Sequence, residues 1–348
     1  MSQIVNQMKP RIEYLDAIKG VAILFIVYGH IPMYSYGEGW TELASFRPMT
    51  SLVQLTMFFF VSGFLFNSEK MLIGGAKSYW LKFRQLVIPA FVFCSLFISI
   101  HDIDVFQCLT DKYKAGYWFT LTLFEYIVVQ SLFDVLVKRF HVRTDGIGYV
   151  LLLAGLAFIM YSLSVPMIEK KFGSVSGVVG FSQFRYFLYF ALGRLVSLHK
   201  DRILTNASVN RLANIVIPIF LLLAVCNFIY GISLDGIFFY LNMLGFEVFA
   251  FLAFFILIYK NRDFFSSENI IARSITFIGR RTLEIYLLHY LFISQDLTPL
   301  GRFFIEHPSP LLELLCSGIM TLVIVSVCLI VGELIRKSSL CSKWLING

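Results

Sequence analysis

The feature that most constrains this chain is an apolar run of roughly 17 to 25 residues that recurs ten times, bounded each time by polar or turn-forming clusters. The runs lie near residues 12–33, 49–66, 85–101, 117–137, 146–165, 184–198, 212–230, 237–259, 283–297 and 310–335. A segment of this kind closes all its backbone hydrogen bonds as a helix and reaches across a hydrocarbon layer about 30 Å thick. The expected fold class is therefore all-α: a polytopic membrane protein of about ten transmembrane helices. The sixth and ninth runs are short, which calls for little tilt, flanking aromatics or a re-entrant segment.

Composition closes off the alternatives. Of the 348 residues 58% are apolar and only 15% charged, and Phe alone fills 37 positions. Soluble domains run nearer 45–50% and about 25%. An aqueous enzyme, a nucleic-acid-binding module, a disordered scaffold and a disulfide-stapled secreted domain all need more polar surface or a denser cysteine pattern. The net charge of +7 then marks cytoplasmic loops and anionic membrane lipids as partners, with no nucleic acid. The six cysteines show no C-x-x-C spacing, and Cys94, Cys226, Cys316 and Cys328 sit inside apolar runs as small hydrophobes. Lys9 and Arg11 precede the first run as in a signal peptide, but Asp16 and Lys19 interrupt that run and no small-residue cleavage site follows, so it reads as a retained helix.

With the N-terminus inside, twenty Lys and Arg fall in inner segments and seven in outer ones, leaving Lys19 and Arg194 within spans. That asymmetry predicts both termini and residues 67–84 in the cytoplasm, with 34–48 and 299–309 outside. No soluble domain, long linker or convincing internal repeat is visible, so residues 1–348 form a single domain whose bundle spans about 12–335.

Ionisable groups inside spans cost several kcal/mol unless paired or facing a cavity, which makes them site candidates. Asp16 and Lys19 lie three apart on the first helix, and His30 follows eleven residues beyond Lys19, almost on the same face and about 16 Å along the axis. The plainer alternative has Lys19 snorkelling to the headgroups and His30 resting at the interface. Ser62 and Gly63 break a wall of Phe, which suits helix packing better than ligand approach. Lys82 and Arg84 stand just before Pro89, and Arg280 and Arg281 make a second basic cluster; either obeys the positive-inside bias or holds a phosphorylated ligand. Farther along, Glu125 and Asp134 lie in the fourth run, Glu247 in the eighth, and Glu284 with His289 in the ninth. Glu284 suits an ion pair with Arg281, and His289 is either a second catalytic group or a packing histidine. Nothing in the pattern calls for a metal.

The residues together resemble the acyltransferase 3 family of integral membrane O-acyltransferases, and most closely its bacterial glycan O-acetylase, fucose 4-O-acetylase-like branch. The likeness rests on YLDAIKGVAILFIVYGH, MFFFVSGFLF, the basic run ending LVIP, WFTLTLF and GRRTLEIYLLHYLF. Lys19 and His30 fit the family's basic residue, ten intervening positions and histidine. The arginine pair three apart before the third helix is replaced by Lys82 and Arg84, two apart, and Glu125 stands off the usual spacing of the family's fourth-helix glutamate. The resemblance implies a bacterial inner-membrane enzyme that moves an acetyl group from cytoplasmic acetyl-CoA to a hydroxyl of a glycan or lipid-linked sugar outside. His30 would serve as general base or acyl carrier, with Lys19 and Asp16 beside it. Lys82, Arg84, Arg280 and Arg281 would hold coenzyme A. The rival reading is a proton-coupled or glycan transporter with Asp16, Lys19, His30 and Glu247 as its relay.

Overall fold

A computed structural model of the protein describes residues 11–37, 46–229, 236–294 and 296–346; Lys9 and part of the 34–48 loop lie outside them. The chain is helical throughout this range. Its principal helices are α1 (Glu13–Ser35), α2 (Arg47–Leu65), α3 (Ser68–Ile100), α4 (Trp118–Arg139), α5 (Ile147–Leu163), α6 (Phe187–Leu198), α7 (Asn206–Ala224), α8 (Gly236–Lys260), α9 (Ile270–Arg280), α10 (Thr282–Phe292) and α11 (Pro310–Lys337). Prolines in the first turn start α2 and α11, and the Asn67 side chain caps α3 by accepting from Lys70 N–H at 2.9 Å.

Among the described residues, seven helices are long and apolar enough to cross a membrane, and α5 adds a shorter apolar helix of 17 residues. The sixth and ninth expected spans shorten to α6 with 12 residues and α10 with 11. At 1.5 Å per residue each covers only about half the hydrocarbon layer. Both are continued by a preceding piece at a break: the 3₁₀ segment Phe181–Tyr186 ahead of α6, and α9 ahead of α10. The third span is longer than expected. It begins at Ser68, bends at Gly75, where φ is +49°, and carries Lys82 and Arg84 within the helix instead of ahead of it. The polar residues of KSYWLKFRQ hide that first half from a reading of apolar runs.

Helix α1 is the axle of the bundle, packed against α2, α8, α9, α10 and α11. Two crossings bring backbones into contact. A Cβ on Gly20 would meet the carbonyl of Ile275, and one on Gly279 that of Asp16, so α9 lies directly on α1. A Cβ on Gly63 would meet the carbonyl of Phe190, and one on Gly193 that of Phe60, so α2 lies directly on α6. Gly63 therefore serves helix packing; Ser62 beside it is half-buried.

A buried polar clamp ties four further elements. Arg194 on α6 donates to the Phe66 carbonyl at 3.2 Å and to Ser68 Oγ at 3.1 Å, and its guanidinium lies 3.6 Å from Asp134 on α4. Asp134 also accepts from Tyr149 Oη and Gln130 Nε2, each at 2.9 Å. The cation thus covers the end of α2 while its carboxylate is held from α4 and α5. Replacing Arg194 by Met would strand Asp134 in hydrocarbon, at a cost of about 3–5 kcal/mol. Thermal unfolding in detergent should show a lowered midpoint for Arg194→Met and substantial recovery for Arg194→Met with Asp134→Leu. An unchanged midpoint in the single variant would remove the clamp from the stability of the fold.

Candidate active site

The unbroken helix α1 carries Lys19 and His30 as the sequence places them, on one face and about 16 Å apart along the axis. What the sequence does not show is what each meets. His30 Nδ1 lies 2.9 Å from Nε2 of His289 on α10, with the two rings nearly parallel at 7°. His289 Nδ1 in turn sits 2.8 Å from the Tyr286 carbonyl and 3.0 Å from the Ile285 carbonyl. Carbonyl oxygens only accept, so His289 Nδ1 bears the hydrogen and its Nε2 is the acceptor. His30 Nδ1 must then be the donor. The assignment leaves the lone pair of neutral His30 on Nε2, where the hydrogen-bonding neighbour among the described residues is the Tyr290 hydroxyl.

Exposure separates the two rings in the same way. His289 is fully buried, whereas His30 remains partly accessible. Tyr290 Oη approaches His30 Nε2 at 3.5 Å and the Gly116 carbonyl at 3.4 Å. Gly116 has φ +96°, and a Cβ there would collide with the Tyr290 ring. Tyr286 Oη donates to the same carbonyl at 2.8 Å, so the turn before α4 is fastened to α10 beside the histidines. The Tyr34 ring stands edge-on to His30 at 5.7 Å, and Arg47, at the start of α2, packs against Gly29 within electrostatic reach of the imidazole. In the turn ahead of α4, the Lys114 ammonium donates to the carbonyls of Leu109, Asp111 and Gly177; burial pulls its pKa below the ordinary value, against the opposing pull of Glu125 and Asp111.

At the opposite face of the bundle Asp16 is a hub. It is 4% exposed and receives Arg11 at 2.6 Å, Lys19 at 2.8 Å and Arg280 at 3.6 Å. Arg280 also reaches Glu13 at 3.6 Å. Arg281, its neighbour in sequence, turns the other way, to Glu284 at 3.6 Å and Glu333 at 3.4 Å, and Arg336 completes that group on Glu284. A cleft of about 640 Å³ opens beside the hub, lined by Glu13, Glu268, Arg273, Phe277 and Arg280, but its two arginines are matched by its two glutamates. Lys82 and Arg84 differ. Among the described residues neither forms an ion pair, and Arg84 Nε is buried without a hydrogen-bond partner, with the guanidinium 5.8 Å from the Trp344 ring.

The remaining candidates scatter. Glu125 on α4 is half-buried, with one carboxylate oxygen lacking a partner. Glu247 on α8 faces Arg185 and Tyr189. Asp16 and Lys19 pair with each other, but among the described residues no hydrogen bond or ion pair links them to His30, or His30 to Glu247. Among the groups near His30, sequence reading passed over Tyr34, Arg47 and Tyr290, and also Glu313, which is buried on α11 and accepts from Tyr28 Oη at 3.1 Å. An acidic residue in the first turn of a helix looks ordinary in a sequence, since it complements the helix dipole.

A family model described as an acyltransferase domain matches residues 12–330. The chain belongs to the acyltransferase 3 family. It is thus a multi-pass membrane acyltransferase, and the matched stretch contains the whole His30 neighbourhood. Comparison with curated proteins and with solved structures gives no match in either case.

For this acyltransferase the hydrogen bond from His30 to His289 makes a specific demand. His289→Phe removes the acceptor and should lower kcat by about 10²-fold or more, with His289→Gln recovering part through its amide oxygen. Steady-state kinetics on folded protein would check this. A Phe variant that turns over like wild type would rule out an orienting role for His289.

Proposed function

We propose that the protein is an O-acetyltransferase of a bacterial inner membrane. It carries an acetyl group from cytoplasmic acetyl-CoA to a hydroxyl of a glycan or lipid-linked sugar outside. The observation that carries this reading is the lone pair on the partly accessible His30 Nε2, oriented through Nδ1 by a buried second histidine and approached only at 3.5 Å by the Tyr290 hydroxyl among the described residues. An accessible imidazole steered from behind is the arrangement that general-base transfer requires.

In this reading the acceptor O–H gives its proton to His30 Nε2 as its oxygen attacks the thioester carbonyl. The carbon–sulfur bond breaks, and the coenzyme A thiolate takes that proton back from His30. Ester and free thiol are the products, and the imidazole returns to its starting tautomer. Arg47 adds positive field where the carbonyl oxygen would become negative.

The orientation drawn from the basic residues sets the Asp16 face in the cytoplasm, where the donor enters. Its phosphates suit Lys82 and Arg84, because a cation without a carboxylate partner is free to bind an anion. Arg280 and Arg281 contribute at longer range, since carboxylates already hold both. Lys19, held by Asp16, sets the inner end of α1 and the entry of the pantetheine arm.

Two outcomes test the reading. His30→Ala should abolish acetylation of the cell's surface polysaccharide, seen by mass spectrometry as loss of the acetyl increment, while the purified variant still binds coenzyme A. The double change Lys82→Ala with Arg84→Ala should weaken coenzyme A binding by about 10²-fold or more, since each charge-assisted contact is worth about 1.5–3 kcal/mol. A folded His30→Ala protein acetylating at the normal rate would sink the base assignment, and unchanged coenzyme A affinity in the double variant would move the donor site elsewhere.

A further inference from the structure

Two of the six cysteines meet in the structure although they stand 14 positions apart in the chain. Cys94 lies near the end of α3, and Cys108 on the short helix Val105–Thr110 that follows. Their Sγ atoms are 3.6 Å apart, in contact and unbonded. Cys108 is 5% exposed, whereas Cys94 is half-buried and is the sulfur a reagent reaches first. Sulfurs already in contact meet the first requirement of a disulfide, since cysteines whose side chains point apart cannot be bridged without moving the backbone.

The segment between α3 and α4 has reason to be fastened. Lys114, Ala115 and Gly116 take φ of +45°, +50° and +96° in succession, and the first two carry a Cβ that disfavours this region. Such a turn persists only where its surroundings hold it. Tyr286 on α10 donates to the Gly116 carbonyl at 2.8 Å, and the Lys114 ammonium donates to three carbonyls. Cys94 touches the same turn, with Sγ 3.7 Å from the Lys114 carbonyl. The turn borders the candidate active site, because the Tyr290 hydroxyl lies 3.4 Å from the Gly116 carbonyl and 3.5 Å from His30 Nε2.

We propose that Cys94 and Cys108 are joined by a disulfide in the cell, and that this bond fastens the strained turn beside His30. The proposal rests on the orientation given above, which sets residues 101–117 on the outer side of a bacterial inner membrane, where disulfides form and persist. The oxidant is a protein of the thiol–disulfide oxidase class in its disulfide form. The Cys94 thiolate attacks one sulfur of that disulfide, and one oxidase thiolate leaves. The Cys108 thiolate then attacks Cys94 Sγ, and the second oxidase thiolate leaves. Two thiols of this chain thus give up two electrons and two protons, and the oxidase takes up both as two thiols.

The test traps the thiols as they stand in the cell. Cells making the full chain are quenched in acid, and the denatured protein is blocked with light N-ethylmaleimide, reduced, labelled with the heavy reagent and mapped by peptide mass. Cys94 and Cys108 should carry the heavy label, and Cys226, Cys316, Cys328 and Cys341 the light one. Light label on Cys94 and Cys108 would overturn the bond. On purified protein, reductant should lower the thermal midpoint of the wild type by about 3 °C or more and leave the double variant Cys94→Ala with Cys108→Ala unmoved. A wild-type midpoint indifferent to reductant would overturn the fastening role. To separate the bond from the orientation, Gln107→Cys, at an exposed position, is added to the double variant, and intact cells are treated with an impermeant maleimide. Labelling there, together with free Cys94 and Cys108 thiols in the wild type, would end the disulfide while the orientation stands. No labelling there would end the orientation and the disulfide with it.

Discussion

A charge in hydrocarbon must be paired, hydrogen-bonded or turned toward a water-filled hollow, and the organisation of this bundle stems from that one cost. Asp16 collects three cations and thereby fastens α9 to α1. Asp134 and Arg194 join α6 to α4 and to the end of α2. Glu284 joins α10 to α11 through Arg336, and Gly332 leaves room for the carboxylate to approach. Each of these groups would be costly alone, and each serves as a joint between helices once matched.

Set against these joints, two polar groups stand out. Arg84 Nε is buried without a hydrogen-bond partner among the described residues, and the lone pair of His30 Nε2 meets only the Tyr290 hydroxyl there, at 3.5 Å. In the acetyl-transfer reading proposed above they would stand at the basic mouth and at the reacting nitrogen.

Sequence reading recovered the features that local geometry dictates. The spacing of Asp16, Lys19 and His30 on one helix was legible because the helical repeat is fixed, and the ion pair of Arg281 with Glu284 was legible for the same reason. The meeting of His30 with His289 was not, because 259 residues separate them and only the packing of α10 beside α1 brings them together. Nor did the sequence reveal that Arg280 and Arg281 part company, since the helix breaks between α9 and α10 and aims them at different helices. The start of α3 was hidden by polar residues that occupy helix as readily as loop; the shortness of α6 and α10 was legible in their apolar runs, but the breaks ahead of them were not.

The two carbonyls behind His289 have a consequence for the cell's energetics. They hold its Nδ1–H but cannot pass that hydrogen onward, because a backbone carbonyl has no proton to exchange. On the His289 side the pair is therefore a blind alley for protons, and His30 Nε2, with the Tyr290 hydroxyl 3.5 Å away, is its open end. A membrane enzyme that does acid–base chemistry between two aqueous compartments risks short-circuiting the gradient it sits in. With His30 as the proposed base, the main chain of α10 would close the His289 side of that chemistry to the gradient.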